Sequence, residues 1–132
     1  MASYFWVAFG SALGGIARFW CSGFLAALIG ETFPWGTLLI NVLGSFVIGL
    51  FATLTGADGR LLVGSLTRQF VMVGLCGGYT TFSSFSLQTL NLINDGEWFH
   101  AGANVVLSVV LCVVGVWAGH VTALAFNAMR WV

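Results

Sequence analysis

Between Gly74 and Thr89 the chain reads GLCGGYTTFSSFSLQT, a run whose residue types suit the handling of ions. Phe82 and Phe85 are three residues apart, so on a helix they share a face. Phenyl rings carry electropositive edges, and Ser83, Ser84 and Ser86 place hydroxyl donors beside them. Two rings turned edge-on with such donors alongside could hold a small, weakly hydrated anion; ordinary packing is the other reading of the pair. Upstream, Gly77-Gly78 weakens a helix by about 1 kcal/mol per glycine relative to alanine, and Thr80-Thr81 adds β-branching directly after. A break there frees backbone carbonyls, which in lipid need a partner such as a cation or another chain. It also starts a new half-helix near Phe82, whose N-terminal end is partially positive.

The elements that position this run are membrane helices. Only 6% of the 132 residues are charged and 59% are hydrophobic, against about 25% charged in soluble domains. Eight charges cannot cover the surface of a soluble domain, so the composition specifies an integral membrane protein. Four apolar runs reach the ~20 residues a span requires: Tyr4 to Ile29, Trp35 to Leu54, Phe70 to Ile93 and Phe99 to Phe126. None alternates as a membrane β-strand does, so the expected fold is all-α, one transmembrane domain of four helices with the third broken at its centre. Trp35, Trp98 and Trp131 fall at span ends, where aromatic belts form. Arg60, Arg68 and Arg130 lie on one side, and Glu31, Asp95 and Glu97 on the other, which favours cytoplasmic termini. Gly10 and Gly14, Ser11 and Gly15, Ser45 and Gly49, and Gly115 and Gly119 are spaced four apart, as in closely packed membrane helices. Four helices barely enclose a hole, so a solute pathway of this size implies an oligomer, most simply a dimer.

Further polar residues lie inside the spans. Arg18 in the first is read either as snorkelling to the interface, or as an anion-attracting vestibule residue or a partner for a carboxylate or backbone carbonyl. Asn41 in the second, with Thr37 one turn earlier, either bridges helices or donates to a desolvated anion. Ser108 in the fourth faces a polar path or bonds back to its own helix. No carboxylate sits within a span, which argues against a proton-coupled, four-helix dimeric drug or cation exporter. A purely structural membrane subunit leaves the glycine pair and the hydroxyl-flanked phenylalanines unexplained. Cys21, Cys76 and Cys112 stand apart, without a metal-ligand spacing. No nucleophile–base constellation suggests an enzyme, and no basic patch suggests nucleic acid.

The run GGYTTFSSFS closely resembles the signature of the Fluc (CrcB) fluoride channels. GGIARFW in the first span, WGTLLINVLGSF in the second and the four-span length extend the resemblance over essentially the whole chain. It implies a multi-pass protein of the cell membrane, dimerised antiparallel, that passively exports fluoride through two pores. It implies a structural Na⁺ at the dimer centre, held by the carbonyls of Gly77 and Thr80. It assigns Phe82, Phe85, Asn41, Ser83, Ser84, Ser86 and Ser108 to the fluoride pore and Arg18 and Thr37 to the vestibule. Two departures stand out. Gln88 occupies a position often held by glutamate in that family. The arginine bias sits poorly with a chain that inserts both ways, so the partner is a second copy or a separately encoded subunit of opposite orientation.

Overall fold

The computed structural model describes residues 1–129; Arg130 and Trp131, used above for orientation and the aromatic belt, lie outside them. The described chain is helical, in the order α1 (Ala2–Ile29), α2 (Trp35–Leu54), a third span in two parts, and the last helix. The first part, α3, runs without interruption through Ser65–Arg68, Gln69–Cys76 and Gly77–Tyr79. The second part is α4 (Phe82–Asn94), and α5 (Trp98–Ala128) closes the chain. Four stretches are long and apolar enough to cross a membrane: Ala2–Ile29, Trp35–Leu54, Ser65–Asn94 and Trp98–Ala128. Trp35 and Trp98 are the first residues of their helices, at span ends as expected.

The third span starts earlier than hydropathy alone indicates. Ser65–Arg68 adds a polar turn because the Arg68 guanidinium reaches back to the α2 end, donating to the Thr55 carbonyl at 2.6 Å and to the Thr55 hydroxyl. Gly30 (φ 89°) ends α1 and Gly96 (φ 78°) turns the chain between α4 and α5, both in backbone conformations that side chains disfavour.

Packing falls into two close pairs, α2 against α5 and α1 against α3. The small residues make both possible. A Cβ on Gly115 would stand 3.0 Å from the Val42 carbonyl, and one on Gly10 would stand 2.6 Å from the Phe70 carbonyl and 3.0 Å from the Gly74 Cα. The outward faces are apolar: Phe19, Leu62, Phe99 and Trp117 are all exposed on the single chain. Such a surface is matched to lipid, where apolar contact carries no penalty.

The centre of the third span differs from expectation in two ways. Gln69–Cys76 is π-helical, a wider winding that is rare and recurs at functional sites. Within the expected stretch the break falls not on Gly77-Gly78 but on Thr80 (φ −83°, ψ 159°) and Thr81 (φ −153°, ψ 113°), both extended, and the new half-helix starts at Phe82 as expected. The glycines stay helical. Gly78 serves contact instead, since a Cβ there would lie 2.6 Å from the Ser11 carbonyl oxygen and 2.9 Å from its Cα. The β-branched threonines, which favour extended backbone, take the break.

Candidate functional site

Two extended residues in mid-membrane must have their backbone groups satisfied from elsewhere. Asn41 on α2 does this for Thr81. Its Oδ1 accepts from the Thr81 N–H at 2.8 Å, and its Nδ2 donates to the Thr81 carbonyl at 3.0 Å. The interhelical reading of Asn41 is therefore realised, and its amide is committed to the break. Thr81 in turn caps α4, its Oγ1 accepting from the Ser84 N–H at 3.2 Å. The Thr80 N–H and hydroxyl both donate to the Cys76 carbonyl, at 3.0 and 2.9 Å. Arg18 on α1 donates to the Thr80 carbonyl at 3.2 Å. A cation thus meets the break from within the chain, and Arg18 neither snorkels nor stands free.

Each hydroxyl has one hydrogen, and following those hydrogens shows which groups remain to receive an anion. Ser86 donates to the Phe82 carbonyl at 2.9 Å and Ser45 to the Asn41 carbonyl at 2.7 Å, each back onto its own helix. Thr81 donates to the Ser84 Oγ at 3.0 Å, which leaves the 3.3 Å contact between Thr81 and Ser83 to be donated by Ser83. Ser84 Oγ accepts from Thr81, and its own hydrogen meets no acceptor among the described residues. With the N–H groups at the start of α4, it forms the open donor set of the break.

Phe82 and Phe85 lie with ring centroids 5.1 Å apart and planes inclined by 51°. Phe85 is buried at 8% exposure, whereas Phe82 stands 75% exposed on the single chain. Both line a cavity of about 320 Å³ together with Asn41, Gly77, Thr80 and Ser108. Six residues singled out from α2, α3, α4 and α5 thus meet at one place. Ser83, Ser84 and Ser86 are not in its wall. Thr37 is apart too, in a second cavity of about 670 Å³ near the α1–α2 turn, with Gln88, Glu31, Asp95, Glu97 and His100. There His100 Nδ1 and Glu97 Oε2 are 2.7 Å apart.

Asn104 is the residue that the sequence reading passed over. It is 2% exposed on α5, donates to Thr89 Oγ1 at 2.9 Å and accepts from Ser108 at 3.4 Å. Its signal was present: an amide four residues before Ser108, hence one turn away on the same helix face.

The Gly77 and Thr80 carbonyls suit a hard cation such as Na⁺, being neutral oxygens outside the regular helix ladder. The amide that would bond Gly77 helically, that of Thr81, is spent on Asn41. Gly77 is exposed at the surface of the single chain. Thr80 offers its remaining lone pair, the other being taken by Arg18.

A four-span helical membrane protein with a broken, donor-bearing third span is the class that this architecture defines. The profile of the family described as "CrcB-like protein, Camphor Resistance (CrcB)" matches residues 5–120, and the chain belongs to that family. It is 63% identical to the protein named fluoride-specific ion channel FluC of Methylocella silvestris, over 96% of this chain and 97% of that one. Its identity to the proteins of the same name from Opitutus terrae and Rhodospirillum rubrum is 59% and 62%, covering 98% and 95% of this chain. The corresponding shares of those two relatives are 98% and 97%.

Proposed function

We propose that the chain is the subunit of a fluoride-selective passive channel of the cell membrane, which lets fluoride leave the cytoplasm. The observation that carries this is the break at Thr80-Thr81, held by Asn41, which brings both threonines and the Phe82–Phe85 pair to the wall of one cavity. The names of the near full-length relatives supply the ion. Fluoride is small and a strong hydrogen-bond acceptor, so it needs hydrogen-bond donors and electropositive ring edges in place of its water. External acid carries it inward as neutral HF, which dissociates at neutral pH. A conduit then lets a membrane potential, negative inside, expel the anion at about 2.3 kcal/mol per charge per 100 mV.

In this reading two chains pair antiparallel and enclose two pores, the partner being a second copy or a separately encoded chain of opposite orientation. Support comes from the exposure of Phe82 and Gly77 on one chain, since a ring pair and a free carbonyl at mid-membrane call for cover. Na⁺ between the Gly77 and Thr80 carbonyls of both chains would neutralise converging oxygen dipoles. Thr37 belongs to the entrance. Expression in a bacterium stripped of its own fluoride exporter tests the reading. Growth in millimolar-range fluoride should return with this chain; growth as poor as with empty vector would contradict it.

A further inference from the structure

The chain of hydrogen bonds between α4 and α5 runs one way. Thr89 gives its single hydrogen to the Phe85 carbonyl at 2.8 Å, so it can only accept from Asn104 Nδ2 at 2.9 Å. This fixes the Asn104 amide: nitrogen toward α4, Oδ1 toward Ser108. Ser108 donates to that oxygen at 3.4 Å, well beyond the ~2.7–2.8 Å usual for hydroxyl donors. The anchor is therefore firm and the last link weak. Ser108 also lines the cavity shared by Phe82 and Phe85.

We propose that Asn104 is a positioning residue of the anion path, whose Oδ1 holds the Ser108 hydrogen while the cavity is empty and yields it to a passing anion. The proposal rests on the cavity being the fluoride path. With its hydrogen on Asn104, Ser108 presents lone pairs to the cavity; rotated about its Cβ–Oγ bond, it presents a donor. Rotation leaves Asn104 Oδ1 buried without a partner, at 2% exposure, and that penalty draws the hydrogen back. Ser108 thus contributes a donor without becoming a trap, since conduction requires binding weak enough for exit.

The test is fluoride flux through reconstituted protein as a function of fluoride concentration, for wild type, Asn104→Ala, Ser108→Ala and the double variant. Asn104→Ala releases the Ser108 hydrogen permanently, so the half-saturating fluoride concentration should fall about threefold or more. In the Ser108→Ala background the same change should leave half-saturation unmoved, an outcome that simple loss of packing would not produce. Asn104→Leu, which fills the vacated volume, repeats the comparison should Asn104→Ala not fold, as judged by elution and melting in detergent. An unchanged or raised half-saturation in Asn104→Ala, or a shift persisting without Ser108, overturns the inference while wild-type flux upholds the channel. Absence of wild-type fluoride flux overturns both.

Discussion

The side-chain amide of Asn41 bridges the backbone of Thr81 at two points, accepting from its N–H at 2.8 Å and donating to its carbonyl at 3.0 Å. An asparagine amide presents a donor and an acceptor side by side, as a neighbouring strand would, so it stands in for the helix ladder that the break interrupts. Asn41→Leu keeps size but leaves both Thr81 groups unpaired, each at about 1–3 kcal/mol. Melting in detergent should drop markedly, with flux falling in parallel. Asn41→Asp retains the acceptor but loses the donor, and should be no better, because it adds a charge at membrane depth.

The hydroxyl hydrogens separate serines that look equivalent in sequence. Ser86 spends its hydrogen on the Phe82 carbonyl, while Ser84 accepts from Thr81 and keeps its own. Ser84→Ala should therefore raise the half-saturating fluoride concentration about tenfold or more, the worth of one hydrogen bond to a charged group. Ser86→Ala should change it less than twofold. Flux titrations on the two variants decide the point, and equal effects would contradict the assignment.

Phe82 and Phe85 should differ in what their loss does to the fold. Phe85 is buried, and Phe85→Ile should cost about 1–2 kcal/mol of stability through lost packing. Phe82 is exposed on the single chain, so Phe82→Ile should leave the chain's own fold intact. Both should suppress fluoride flux by an order of magnitude if ring edges face the ion. Normal flux in Phe82→Ile would remove the ring-edge argument.

Much of this was legible in the sequence, because lipid makes composition and spacing unusually informative. Four ~20-residue apolar runs leave little choice of fold, and most of the small residues four apart do pack closely, Gly10 on Gly74 and Gly115 on the Val42 carbonyl, whereas Gly15 faces open space. The start of the new half-helix at Phe82 was legible, but the break itself falls three residues past the glycine pair, because glycine serves two ends. Helix weakness and close approach give the same letter, and only the Ser11 backbone beside Gly78 distinguishes them. The π-helical winding of Gln69–Cys76 was not legible, since hydropathy and spacing do not distinguish it from an α-helix. A backbone-carbonyl partner for Arg18 was legible, but not which one: the Thr80 carbonyl is 62 residues away and is available only because the helix breaks. For Asn104 only the link to Ser108 one turn along was legible; its anchor, Thr89, lies on another helix.

The two adjacent glycines carry a test of pairing. In Gly78→Ala the new Cβ would meet Ser11 backbone at 2.6 Å, and the chain should lose about 1–3 kcal/mol of stability. In Gly77→Ala the nearest atom is the Met72 carbonyl oxygen at 3.8 Å, so the single chain should be unaffected. A second chain closing over Gly77 would make that methyl group an obstacle. Gly77→Ala is then expected to keep its helix content by circular dichroism while its dimer dissociates on dilution in detergent. Replacing Na⁺ by a bulky organic cation during purification should weaken the wild-type dimer in the same way.

The central claim is selective passage of fluoride, and paired efflux from one batch of liposomes tests it most directly. Vesicles holding the purified protein are loaded with fluoride and chloride, and valinomycin releases the opposing potential while two ion-selective electrodes follow each anion. Fluoride should leave within seconds and chloride should remain until detergent is added. Retention of both ions, or release of both at similar rates, would contradict the account.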